Sequence, residues 1–209
     1  MPERRGLSRR QESLKRALDV VVAGLGAVVT APLVAAGIVA ATLSTRQWGL
    51  FSQERIGRDG VPFRVYKVRS MRRVEGIDTT VTSGADPRIT RVGAWLRRLK
   101  IDELPQLVNV VRGEMSLVGP RPDVAGWADT LEGEDRIVLS VRPGITGPAS
   151  VAFRHEESLL READDPEAYN REVLWPEKVR LNREYVESWS LRSDLHWISA
   201  TVSSVLHRD

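Results

Sequence analysis

Between Val20 and Leu43 the chain runs for 24 residues without a charge, VVVAGLGAVVTAPLVAAGIVAATL, and Pro32 stands near the middle of the run. As a straight helix it is about 36 Å long, enough to cross a bilayer core of ~30 Å. A cleaved signal peptide fits the basic stretch before it, but signal cores are only about 7–15 residues long. A helix buried in a soluble core is disfavoured by the length and uniformity of the run. A spanning helix should carry Lys and Arg on one side only. Here both flanks are basic: Arg4, Arg5, Arg9, Arg10, Lys15 and Arg16 before it, and Arg46, Arg55, Arg58, Arg64, Lys67, Arg69, Arg72 and Arg73 after it. A re-entrant hairpin bent at Pro32 would return both flanks to one anionic leaflet, with Thr30 able to satisfy a freed carbonyl. The run and its flanks leave spanning and re-entrant helices both open.

The remaining charge is unevenly divided. Residues 1–123 carry 21 basic and 12 acidic side chains, and residues 124–209 carry 10 and 16, so +9 and −6 give the overall +3. The first part should meet something anionic, such as phosphates or lipid headgroups. All but 4 of the 31 bases are Arg, the side chain suited to bidentate phosphate contacts, although a coding bias toward Arg gives the same count. With 6% aromatic residues and no zinc-finger, RRM or KH pattern, nucleic acid is not an expected partner. The absence of Cys excludes disulfides, a thiol nucleophile and Cys-ligated metals, and His155, His196 and His207 lie far apart.

Downstream, Arg58-Asp59-Gly60 before the alternating FRVYKV reads as a β-hairpin, and residues 75–87 read as a loop. RITRVGAWLRRLK (88–100) is a basic amphipathic helix with one Trp, the composition of a segment lying in a membrane interface. DELPQLVNVVRG (102–113) reads as a second helix, with Asp102 at its N-cap and Gly113 at its stop. GPRP (119–122) and RPGITG (142–147) read as rigid loops whose backbone donors could cradle phosphate. Residues 156–187 read as acidic, helix-biased, solvated surface, and 190–206 as a closing amphipathic helix.

Asp102 and Glu103 read, as a bare dipeptide, as two capping acids at a helix start. Their setting changes that reading. YKVRSM (66–71), DPRITRVGAWLRRLKIDELPQLVNVVRGEMSLVGPRPD (86–123) and VRPGITG (141–147) closely resemble the bacterial sugar transferase family, the monotopic phosphoglycosyl transferases that begin membrane glycoconjugate assembly. The likeness runs from Lys15-Arg16-Ala17-Leu18-Asp19 to Tyr185-Val186-Glu187-Ser188-Trp189-Ser190-Leu191. It implies the minimal catalytic core, without the extra transmembrane helices that precede it in larger relatives.

The resemblance implies a two-step reaction. A UDP-sugar gives its sugar-1-phosphate to an enzyme carboxylate with release of UMP, and polyprenol (undecaprenyl) phosphate then takes it. By the same likeness Asp102 is the nucleophile and Mg²⁺ ligand, and Glu103 completes the pair. The substrate-binding residues it implies are Lys67 and Arg69 from YKVRSM, Arg97, Arg121 and Pro122 from GPRP, and Arg142 and Thr146 from RPGITG. Such cations would offset charge at the reacting phosphorus. It also implies an α+β fold in which a membrane-embedded re-entrant helix hairpin, interfacial amphipathic helices and a small β-sheet surround a Mg²⁺-dependent site. Residues 1–48 would form the basic segment and membrane helix, with Pro32 as the kink, and 49–209 the catalytic domain. The expected place is the cytoplasmic face of the inner (plasma) membrane, with a homodimer left open. The chain departs from the family pattern twice. Ala31-Pro32 stands where the family has Ser-Pro, and Pro148-Ala149-Ser150-Val151-Ala152-Phe153-Arg154 follows RPGITG where many relatives have a Gln and an Asn-Gly-Arg. An inactive member serving as a membrane scaffold in polysaccharide assembly is the alternative.

Overall fold

The computed structural model describes residues 6–74 and 86–206; most of the expected loop at 75–87 lies outside them. It opens on helix α1, Arg9–Thr45, entered through a capping box in which Ser8 and Gln11 exchange side-chain and backbone hydrogen bonds. A β-hairpin follows, β1 (Leu50–Ile56) pairing antiparallel with β2 (Pro62–Val68) around the Arg58–Gly60 turn. Next come α2 (Arg91–Arg98), capped by Thr90, and α3 (Gln106–Arg112), closed by left-handed Gly113. Strand β3 (Ser116–Val118) pairs parallel with β4 (Gly144–Thr146). The chain ends in helices α4 (Pro148–Ala152), α5 (Glu156–Glu162), α6 (Pro166–Tyr169), α7 (Trp175–Glu187) and α8 (Leu191–Leu206). The fold is thus mixed α and β, with two separate two-stranded sheets among the described residues rather than one.

Helix α1 has two unlike faces. Lys15, Asp19 and Ala23, and again Gly37, Ala41 and Thr45, are buried, two runs at steps of four that lie on one side. Leu25, Val28, Val29 and Leu43 are 66–77% exposed. A soluble core helix would hide such residues; an apolar surface this continuous needs another apolar phase. Both ends of the helix seat on the same body. Near its start, Arg16 bonds the Val110 and Val111 carbonyls (2.6 and 3.0 Å) at the end of α3. Toward its end, Ala41 packs with Val68, Leu96 and Ile101.

The bend expected at Pro32 does not interrupt the helix. α1 runs through the proline as one helix, because a proline removes a single donor and about six turns before it and more than three after it hold the rest. Nor does Thr30 serve the carbonyl that Pro32 leaves, that of Val28; its hydroxyl donates to Gly26 O at 2.7 Å. Two other expectations also fail. RPGITG is in part a strand. Its glycines permit this, since a Cβ at Gly144 would stand 2.1 Å from the Gly119 nitrogen and one at Gly147 2.2 Å from the Gly119 carbonyl oxygen. The region expected as solvated surface contains α7, whose Val179, Asn182, Tyr185 and Val186 are buried. Its charges cover one face and hide the apolar period of the other.

Candidate active site

After α2, Lys100 takes a left-handed backbone (φ 57°) and turns the chain into a tight 3₁₀ turn, Ile101–Glu103. Asp102 therefore lies inside this turn and caps nothing, and the regular helix begins only at Gln106, beyond Pro105. Successive residues of such a turn point about 120° apart. Both carboxylates are nonetheless buried, Asp102 at 6% and Glu103 at 8% exposure.

Their surroundings differ. Glu103 Oε1 accepts from Lys67 Nζ at 3.2 Å and from Arg121 at 3.0 Å, and Lys100 Nζ stands 3.8 Å from Oε2. Burial raises the Glu103 pKa, but Arg121, Lys67 and Lys100 outweigh it and hold the carboxyl well below the usual range. Among the described residues Asp102 has no such partner, and its Oδ1 is sealed from solvent without a hydrogen bond. Burial, and then the Glu103 charge, push its pKa up to about 6 against the pull of Lys67, Arg97 and Lys100. Two adjacent carboxylates are thus driven apart, one fixed as a permanent anion and the other left basic and unoccupied by donors.

The pair opens on a cavity of about 1070 Å³, at the upper end of small-molecule sites. Of the residues the sequence pointed to, Asp102, Glu103, Lys67, Arg97, Arg121 and Thr146 line it. Arg97 is engaged there by Glu157, and Thr146 Oγ1 lies 2.6 Å from Thr201 Oγ1. Three others do not line it. Arg142 Nε donates to the Gly113 carbonyl at 2.8 Å and a guanidinium nitrogen lies 3.4 Å from Glu12, so it closes the end of α3. Arg69 donates to the Trp48 carbonyl at 2.8 Å and lies over the Phe51 ring. Pro122 is buried, with its carbonyl 3.4 Å from Arg55.

Sequence reasoning missed part of the wall. Asp123, Glu156 and Lys178 line the cavity, with Lys178 and Glu156 paired at 2.6 Å. Burial lifts Asp123 to about 6 against Lys178, Arg55 and Arg121. Burial, with Arg121 nearby, lowers Arg55 to about 10. Asp123 directly follows GPRP and was open to notice; nothing local marks Glu156 or Lys178 within a charged stretch.

Among the described residues no three acidic or histidine side chains gather, so no all-protein metal cage is offered. Mg²⁺ does not need one, since it is commonly held by one or two carboxylates together with substrate phosphates and water. The partnerless Asp102 Oδ1 at the cavity suits that demand.

Comparison with known proteins adds an independent line. The family model described as bacterial sugar transferase matches residues 10–208. The UDP-glucose:undecaprenyl-phosphate glucose-1-phosphate transferase of Caulobacter vibrioides is 39% identical over 199 residues, covering 93% of this chain and 70% of that protein. The protein of that name from Escherichia coli is 37% identical over 196 residues, 90% of this chain and 39% of its own length. The UDP-N-acetylgalactosamine-undecaprenyl-phosphate N-acetylgalactosaminephosphotransferase of Aeromonas hydrophila is 33% identical, over 92% of this chain and 44% of that protein. The chain thus spans less than half the length of the latter two.

Proposed function

Because the chain belongs to the bacterial sugar transferase family, we propose that it is a phosphoglycosyl transferase, moving sugar-1-phosphate from a UDP-sugar to polyprenol (undecaprenyl) phosphate with release of UMP. The observation that carries this reading is the contrast within the carboxylate pair: a buried, donor-free Asp102 beside a Glu103 held by Lys67 and Arg121.

With its pKa near 6, Asp102 is ionised at neutral pH yet more basic than a free carboxylate, which favours attack. Its oxygen forms a bond to the phosphorus that bears the sugar, and the bond from that phosphorus to the UMP oxygen breaks. An acceptor phosphate oxygen then displaces Asp102, giving polyprenol-diphosphate-sugar and restoring the carboxylate. Glu103 holds Lys67 and Arg121 against the cavity, where they offset the charge of the reacting phosphates. Asp102 would hold Mg²⁺, which supplies further charge neutralisation and orients phosphate oxygens when bound.

The same reading makes α1 re-entrant. Both its ends are docked on one body while its outer face is apolar, so the segment dips into the leaflet from the side on which the catalytic domain stands. Trp95, 55% exposed on α2, belongs at that interface. Nucleotide sugars are cytosolic substrates, so the domain faces the cytoplasm.

Nucleotide release tests this. Detergent-purified protein with Mg²⁺, polyprenol phosphate and a panel of UDP-sugars should yield UMP, and Asp102→Asn should abolish it. Release of UDP would mean ordinary glycosyl transfer and would overturn the reading.

A further inference from the structure

The cavity changes character along its wall. Around Asp102 and Glu103 it is charged, and the charge continues through Arg121, Asp123 and Glu156 to Lys178. Where α4, α7 and α8 meet it is neutral, with Thr146, Ser150, Asn182 and Thr201 among Ala149 and Ile198. The two threonine hydroxyls satisfy each other. The other two side chains each hold an atom without a partner among the described residues. Asn182 is 5% exposed, and its Oδ1 has no hydrogen-bond partner; Ser150 Oγ is equally sealed and equally alone. Buried polar atoms are nearly always bonded, and an orphaned pair in one cavity points to a ligand that supplies the missing bonds. Asn182 stands one helical turn beyond Lys178 on α7, so both face the cavity, and the neutral patch begins where the charged cluster ends.

We propose that Ser150 and Asn182 hydrogen-bond the hydroxyls of the sugar on the donor's reacting phosphate, and so decide which sugar is accepted. The inference rests on the phosphosugar-transfer reading above. The leaving UMP and the phosphates are anionic and belong with the cations. The sugar is uncharged and attached directly to the phosphorus that Asp102 attacks, so it needs a neutral polar surface next to the charged one. An amide and a hydroxyl supply acceptors and donors for ring hydroxyls, and epimers differ only in where one hydroxyl points. Ser150 lies in the Pro148–Arg154 stretch that departs from the family pattern.

The test compares kcat/KM for UDP-glucose, UDP-galactose and their N-acetyl counterparts in wild type, Ser150→Ala and Asn182→Ala, all full-length, together with inhibition by UMP. Ser150→Ala removes one oxygen from a short helix, and thermal unfolding of both variants reports the fold. The preference for the best donor over its C4 epimer should shrink about tenfold in at least one variant, with UMP inhibition changed by less than about twofold. Unchanged preference, or an equal loss on every donor, would overturn the proposal. Weakened UMP inhibition would assign the two residues to the nucleoside and overturn it too. If wild type releases no UMP, the transfer reading fails first; epimer preference in equilibrium UDP-sugar binding then judges Ser150 and Asn182 separately, and no change on substitution overturns their role.

Discussion

Replacing Asp102 by Asn should make the protein inactive and more stable. The carboxyl is displaced from 3.8 to about 6 because burial and the Glu103 charge together outweigh the attraction of Lys67, Arg97 and Lys100. That displacement corresponds to about 3 kcal/mol against the charged form at pH 7. Asn keeps the shape and removes the charge. For a domain of this size the gain amounts to a Tm rise of about 6–12 °C. The direction with pH follows from the same displacement. Between pH 3.8 and about 6 the folded state binds this proton more tightly than the unfolded chain, so the penalty is full above 6, shrinks as the pH falls and is gone below 3.8. The assay is thermal unfolding of both proteins in detergent with EDTA, from pH 7.5 to pH 4. The two curves should converge toward acid. Adding Mg²⁺ at pH 7.5 should raise wild type alone, by about 2.7 kcal/mol at a hundred times its Kd. A variant less stable than wild type at pH 7.5, or a gap that ignores pH, would refute the electrostatic account of Asp102.

Glu103→Gln should have the opposite effect on stability, because it leaves Lys67 and Arg121 without their shared anion; a loss of roughly 2–3 kcal/mol in urea unfolding is expected. Lys15→Met breaks the buried pair with Asp194 at 2.7 Å and should cost about 3 kcal/mol in the same measurement, with UMP release per folded molecule kept. UMP release by wild type should fall as the pH drops through about 6, where Asp102 takes up its proton, and a rate flat from pH 7.5 to 5 would count against its role as nucleophile. Since the chain has no Cys, single cysteines at Arg10 and Arg72 report topology directly. Both should resist a membrane-impermeant maleimide in intact cells and react in inverted vesicles, whereas labelling of one alone in cells would restore a spanning helix.

The features that the sequence displayed best are local. The β1–β2 hairpin follows from FRVYKV and the Arg58–Gly60 turn, the stop of α3 from Gly113, and the apolar helix from a run that nothing else resembles. What stayed hidden depends on which segments lie side by side. RPGITG reads as a loop because it is too short to show strand alternation; part of it pairs with Ser116–Val118, just before GPRP, and the close approach shows in the clash that a Cβ at Gly119, Gly144 or Gly147 would make. Arg142 looked like a phosphate ligand because its motif is Gly- and Pro-rich; only tertiary structure reveals that its guanidinium is committed to Gly113 and Glu12. Asn182 gave no signal at all, since an Asn among charged residues reads as surface until α4 and α8 cover it.

The Lys15–Asp194 contact also orders events during synthesis. Its partners are 179 residues apart, and in the folded chain Asp194 also accepts from Tyr185 at 2.6 Å and from Trp189 at 3.1 Å. Closing a loop of that length costs about 5 kcal/mol in chain entropy, which is recovered only when nearly the whole chain has left the ribosome. Until then α1 lacks part of its seat, and the other carboxylate near Lys15 in the folded chain is that of Asp19, 3.9 Å away. The first helix made is therefore among the last to be locked, and a chain truncated before Asp194 would leave a lysine at the membrane border without its principal counter-ion.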